Sequence, residues 1–254
     1  MLDEPFASGT STVHGLDPRV KIAAATACAV VIGPATGAGA FGAACAALIA
    51  GAGLCAWARL PLGPLLRRLV SINLFAAFLW LFLPFTTPGS AALHLGPLTA
   101  TDAGIAQALL ITLKTNAVML WFVALVATSD AAAIGQALGR LGVHPKLVFL
   151  FLFTYRFAHV LGAELERLTT AAKLRGFAPR SGLHTWRTLA SLLAMVLIGA
   201  MRRAEMSRQA MQLRGFHGKF ATLRAFRAGP QSRAFLAAST LFLAALAWWE
   251  IVHV

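Results

Sequence analysis

"HTWRTLASLLAMVLIGAMRRAEMSRQAMQLRGF", residues 184–216, turns apolar from Leu189 to Met201 and closes on a run rich in cations. It repeats the course of "PKLVFLFLFTYRFAHVLGAELERLTTAAKLRGF", residues 145–177, which also begins apolar, acquires Arg156 and His159, and ends polar. Each segment is too long for a loop. The uninterrupted apolar run of the second is shorter than the roughly 20 residues that a comfortable bilayer crossing takes. Two long helices, each greasy at its start and charged at its end, satisfy both facts.

The two endings agree in detail. "AAKLRGF" (171–177) returns 39 positions later as "AMQLRGF" (210–216), and six of the twelve positions from Glu166 to Phe177 match those from Glu205 to Phe216. Gly just past a helix end permits a left-handed cap, and Arg in the last turn complements the helix dipole. A cap requires neither the Leu before the Arg, nor the Phe after the Gly, nor the Glu nine residues upstream. At about 100° per residue those nine residues put Glu and Arg on nearly opposite sides of the helix, so they are not an ion pair. Arg175 and Arg214 are then free to meet something external, as two guanidinium anchors for a partner's acidic groups.

Outward from these helices the chain is membrane-like. Of its 254 residues 58% are hydrophobic and 12% charged, with mean hydropathy +0.73; soluble domains carry about 25% charged residues. The net charge of +13 is concentrated: residues 140–233 hold 16 of the 22 Lys/Arg against Glu164, Glu166 and Glu205, and the remainder is neutral. One basic block in an apolar chain suits a cytoplasmic membrane face against anionic lipid. No nucleic-acid partner is expected, because base-stacking aromatics are not interleaved with this charge.

Five stretches are expected to span: roughly Val20–Ala35, Ala38–Trp57, Leu69–Phe85, Ile105–Ala127 and Ala234–Val252. Arg19 and Lys21 precede the first, Arg59, Arg67 and Arg68 separate the second and third, and the basic block separates the fourth and fifth. The other connections, near "GPATG" and "TTPGSAALHLGPLTATD", contain no Lys or Arg. That alternation puts the N-terminus in the cytoplasm and the C-terminus outside. The N-terminal "MLDEPFASGTSTVHGLDPRVK" lacks the basic-then-apolar order of a cleavable signal peptide. The expected division is an N-terminal cytoplasmic segment (1–19), four membrane helices (20–127), a cytoplasmic or interfacial helical region (128–233) and a C-terminal membrane helix (234–254). Within the third part, Ala133, Ile134, Ala137, Leu138 and Leu141 mark one face of an amphipathic helix over 130–143.

Other chemistry-bearing residues read more plainly. Cys28, Cys45 and Cys55 lie in apolar segments without C-x-x-C spacing and are expected to be small buried hydrophobes. The seven histidines show no metal-ligand spacing. Gly-rich "GPATGAGAFG" (33–42) lacks the Lys-Ser/Thr of a phosphate loop and reads as a junction of closely packed helices. Lys114, beside Thr115 and Asn116 inside the fourth apolar stretch, either marks a polar site or snorkels to the outer surface. Arg156 and His159 either line a polar seam or mark where their helix leaves the bilayer, the second being the expectation. No catalytic motif appears, so any nucleotide chemistry belongs to another chain.

"HGLDPRVK" (14–21), "ATSDAAAIGQALGRLGVHPKL" (127–147), "LFTYRFAHVLGAELERLTTAAKLRGF" (152–177) and "EMSRQAMQLRGF" (205–216) resemble, in that order, the transmembrane T component of energy-coupling factor transporters, a class of ABC importers for vitamins and transition metals. The resemblance covers most of the chain, and its opening segment looks most like the cobalt branch. It implies an all-α polytopic protein of the bacterial inner (plasma) membrane, with about five transmembrane helices and long cytoplasmic coupling helices in an L-shaped arrangement. It also implies an ATPase-coupling site made of Leu174, Arg175 and Gly176 together with Leu213, Arg214 and Gly215. The implied partners are two ATPase subunits, a substrate-binding S component, a small accessory membrane subunit and membrane lipid. No cofactor belongs to this chain; ATP-Mg is bound by the partner ATPase. Cobalt is the first expectation for the substrate, with a nickel or vitamin S component as the alternative within the family. Outside the family the rivals are a self-contained secondary transporter using Lys114, Thr115 and Asn116, or a membrane enzyme. The Leu at 174 and 213 departs from the commoner A-R-G ending, and His144-Pro145 replaces Gly/Leu-Pro.

Overall fold

A computed structural model of the chain describes residues 6, 9, 11–37, 39–88, 90–95, 98–216 and 229–253. The N-terminal positions outside that set, and the part of the basic block at 217–228, lie outside the described residues. The described chain runs α1 (Pro18–Ile32), α2 (Gly39–Trp57), α3 (Leu62–Thr86), β1 (Ala91–Leu95), β2 (Leu98–Thr101), α4 (Asp102–Leu125), α5 (Ala131–Arg140), α6 (Pro145–Leu174), α7 (Leu183–Leu213) and α8 (Pro230–His253). Six of these helices, α2, α3, α4, α6, α7 and α8, are long and apolar enough to cross a membrane. The fold is that of an all-α polytopic membrane protein.

Several element bounds differ from the sequence expectation for local reasons. α1 has 15 residues, about 22 Å of helix against a hydrocarbon core of about 30 Å. α3 begins at Leu62, so Arg67 and Arg68, expected in a connection, lie on its early turns. Pro61 precedes the helix and Pro64 sits in its first turn, where a missing N–H leaves no bond unmade. The connection before α4 is a two-stranded antiparallel hairpin, with His94 opposite Thr99 and Leu95 opposite Leu98. α5 ends at Arg140, which leaves Leu141 exposed beyond it, while Ala133 and Ala137 are buried as the periodicity required.

The chain divides into two compact units, one built on residues 4–134 and 226–254, the other largely on residues 135–225. The core of the first draws Ala25, Cys28 and Ile32 from α1, Ala43 and Ala47 from α2, Trp121, Ala124 and Leu125 from α4, and Leu243 and Leu246 from α8. Small side chains dominate because lipid tails remove the hydrophobic incentive for helices to associate and leave close van der Waals packing to do it. At Gly51 a Cβ would lie 3.0 Å from Leu120 and Trp121, and the Trp121 indole donates to the Ala47 carbonyl at 3.0 Å. Gly39 and Gly42 lie against His253 and Trp249 of α8, so the Gly-rich stretch is a packing junction as expected. Cys28 and Cys55 are buried, but Cys45 is exposed on the outer face of α2, contrary to the reading of all three as interior residues.

Polar groups within the apolar helices satisfy one another. Asn73 of α3 and Asn116 of α4 exchange reciprocal amide hydrogen bonds at 3.0 and 2.9 Å. The Lys114 ammonium donates to the carbonyls of Gly33, at 3.3 Å, and Ala35. Glu250 of α8 accepts from the Thr36 amide at 3.2 Å. The α1–α2 connection is thereby held from α4 and from α8.

Candidate coupling site

The unit on residues 135–225 carries every residue that the sequence singled out for coupling. Gly135 and Gly139 on α5 abut Phe151, Leu152 and Val148 of α6, which lets the short helix lie close along the start of the long one. α6 begins at Pro145, and His144 caps it by accepting from the Lys146 amide at 3.3 Å. The unusual His144-Pro145 pair therefore supplies both a cap and a first-turn proline. Along α6, Phe149, Phe153 and Phe157 stack at one-turn intervals. Arg156 is exposed, and the His159 ring meets Tyr155 edge-on.

Two contacts fix the relation of α6 to α7. Arg203 donates to Glu164 at 2.7 Å, and the Phe216 ring lies 6.0 Å from that of Phe149. The later residue of α7 meets the earlier residue of α6 in each pair, so the helices run antiparallel. Arg175 then stands at the turn of a helical hairpin and Arg214 beside its opposite end. At about 1.5 Å per residue the two arginines are about 40 Å apart.

Both ends have the same backbone. Gly176 and Gly215 adopt φ of +87° and +74°. The Phe177 amide donates to Ala172 and the Gly176 amide to Lys173, at 3.1 and 3.0 Å; the Phe216 amide donates to Met211 and the Gly215 amide to Gln212, both at 3.0 Å. Each pair of bonds is a complete Schellman cap, which accounts for the glycine and for the sharp turn after it. Phe216 is accounted for as well, by its packing on Phe149.

The cap leaves the Leu-Arg pairs unexplained. Leu174 is 85% exposed and Leu213 89% exposed, and Arg175 and Arg214 are also exposed. Among the described residues no carboxylate pairs with either arginine. Glu205 is engaged elsewhere, by Arg208 at 2.6 Å and by Gln209 at 3.0 Å, in agreement with the helix geometry that separated it from Arg214. An apolar side chain beside a guanidinium, presented at a helix end by a rigid turn, is suited to enter a groove with an apolar wall and acidic or carbonyl groups at its base.

Sequence reasoning did not find the interhelical bond between Arg203 and Glu164, because their separation of 39 residues carries no local period. It did not resolve Lys114 either, which the structure fastens to the loop carbonyls.

The sequence pattern of the CbiQ family, described as cobalt transport protein, matches residues 9–223. The cobalt transport protein CbiQ of Rhodobacter capsulatus is 31% identical over 160 residues, which are 61% of this chain and 64% of that one. The matched stretch thus spans a little under two thirds of that relative. Energy-coupling factor transporter transmembrane proteins EcfT are also similar: that of Acidaminococcus fermentans is 27% identical over 83% of this chain and 81% of its own, and that of Brevibacillus brevis 25% identical over 96% of each. With a family match running from the turn before α1 past the second Leu-Arg-Gly ending, this multi-pass membrane protein belongs to the CbiQ cobalt transport protein family.

Proposed function

We propose that the chain is the transmembrane scaffold of an energy-coupling factor importer. It couples ATP hydrolysis by two partner ATPase subunits to reorientation of a metal-binding membrane S component, with cobalt as the transported ion. The observation that carries this reading is the duplicated ending: two exposed Leu-Arg pairs on caps of the same geometry, without a partner among the described carboxylates. The match to relatives named for cobalt transport and for energy-coupling factor transport supports it.

The charge map supports placing both ends in the cytoplasm. The connection from Lys173 to Arg187 contains Lys173, Arg175, Arg180 and Arg187 and no acid. Were α6 to cross the bilayer, Arg175 and Arg214 would fall on opposite sides, and that cationic connection would lie outside, against the positive-inside rule. On this reading α6 and α7 run along the cytoplasmic face despite their length. The exposed Leu193, Leu197, Ile198 and Met201 of α7 then meet lipid or the S component.

The mechanism is mechanical. Closure of the ATPase pair displaces Arg175 and Arg214, and stiff helices carry that displacement to their apolar portions, where the S component tilts against the bilayer. The transported ion need not touch this chain. Lys114 and Asn116, which a self-contained transporter would need, are already bonded to Ala35, Gly33 and Asn73.

The test is purification of the complex from native membranes with Arg175→Ala, Arg214→Ala and both. Truncating one partner of a buried charge pair costs about 2–5 kcal/mol, so each single change weakens ATPase retention and the double change abolishes it. A double variant that retains stoichiometric ATPase and takes up cobalt normally refutes the reading.

A further inference from the structure

Lys21 is the most deeply enclosed charge among the described residues, 1% exposed in α1. Among the described residues no carboxylate lies within ion-pair distance of it. Its three N–H donors are instead directed at the Ser129 hydroxyl (3.1 Å), the Thr128 hydroxyl (3.3 Å) and the His14 carbonyl (3.4 Å). Those hydroxyls donate in turn to the last carbonyls of α4: Thr128 to Ala124 and Leu125, Ser129 to Leu125. The ammonium thus faces the negative end of the α4 dipole through two hydroxyl relays. A buried cation is costly unless its hydrogen bonds are all made, so this one is tied to the positions of 128 and 129.

Four residues earlier the same segment makes a second long-range tie. Asp17 caps α1 through its carboxylate, which accepts from the Arg19 amide at 3.0 Å. Its own amide donates to the buried Ser232 hydroxyl in the first turn of α8, at 3.1 Å. Thr128 and Ser129 stand just before the chain leaves this unit at residue 134, and Ser232 just after it returns at residue 226. One turn of α1 therefore holds both crossings.

We propose that Asp17 and Lys21 form a clasp that keeps the exit and return of residues 135–225 in register, which makes Lys21 a positioning residue for coupling. This rests on the coupling reading above. Displacement of the Leu-Arg ends reaches the membrane helices through these two crossings of the chain, and a loosened base would absorb it. The clasp adds no contact with ATPase and none with the transported ion.

The test uses the whole complex reconstituted in vesicles, with cobalt(II) as the probe ion. It compares Lys21→Met, and the apolar set Lys21→Met with Thr128→Val and Ser129→Ala, against the natural chain. The triple change replaces the polar cluster by groups of similar shape, which keeps the unit folded where the single change does not. The expected result is normal ATPase retention and ATP hydrolysis, with cobalt taken up per ATP reduced about three- to thirtyfold, the range for residues that carry coupling between sites. Uptake per ATP within about twofold of the natural chain in the folded triple variant overturns the clasp. So does loss of ATPase retention, which would put Lys21 in assembly. Failure of the coupling reading shows separately, as unimpaired retention in the Arg175→Ala, Arg214→Ala chain.

Discussion

Leu174 and Leu213 give the sharpest separation between a helix cap and a docking plug. In the free chain their side chains, 85% and 89% exposed, have almost no packing to lose. Leu→Ala there should change stability by no more than about 0.5 kcal/mol. In a groove the same substitution removes three carbon groups at about 0.8 kcal/mol each, an upper value near 2.4 kcal/mol and a working value of about 2 kcal/mol. That is about thirtyfold in affinity for one end. The two ends lie about 40 Å apart along the hairpin, beyond the range in which substitutions couple, so the double change should cost about 4 kcal/mol, close to a thousandfold. The assay titrates the co-purifying ATPase onto the detergent-solubilised chain and follows thermal unfolding of the same samples. Bivalent attachment masks much of a single loss, so the double variant is the decisive sample. Affinity within about twofold of the natural chain refutes the plug. Unfolding at markedly lower temperature refutes the premise that these leucines are idle in the free chain, since a loss of about 2–5 kcal/mol is the signature of a core leucine.

Two further outcomes follow from the geometry. Gly176→Ala or Gly215→Ala puts a Cβ at φ of +87° or +74° in open space, so the cost is backbone strain alone, about 1–2 kcal/mol, read as a melting shift of about 2–8 °C for a chain of this length; Asn at either position should cost less. Asn73→Leu leaves the Asn116 side-chain oxygen without its donor between apolar helices, while the Asn116 NH2 keeps the Thr112 carbonyl, and should destabilise by about 1 kcal/mol in detergent unfolding, whereas the double change to Leu recovers most of it.

What the sequence made legible is what repeats locally. Apolar runs located α2, α4 and α8 to within a few residues, and the greasy-to-charged progression located α6 and α7 as long helices. The Arg-Gly-Phe endings were readable as caps because a Schellman turn is closed by residues within one turn of each other. Proline positions were harder: Pro61 and Pro64 read as a break, yet one precedes α3 and the other sits in its first turn, so Arg67 and Arg68 joined the helix. The hairpin after α3 was missed because its strands are short and bracketed by Gly and Pro that also suit a loop. Lys114 and Asn116 were visible as polar residues in apolar surroundings and Lys21 as a charge flanking the first span, but the partners the structure gives them, the Ala35 carbonyl, Asn73 of α3 and the Ser129 hydroxyl past α4, stand 79, 43 and 108 residues away. Nothing periodic marks such pairs. Cys45 was misjudged for a related reason: a helix as uniformly apolar as α2 gives no moment from which to tell its inner from its outer face.

The matching caps at Gly176 and Gly215 have a bearing on evolution and assembly. A single chain has no twofold axis, yet this one ends two separate helices on the same four-residue geometry, facing away from each other along a hairpin. On the coupling reading, a pair of identical ATPase subunits would meet the same shape twice, so one ATPase gene would serve both ends. The bodies of α6 and α7 are then free to differ in sequence, as they do, so long as each still finishes on Leu-Arg-Gly-Phe.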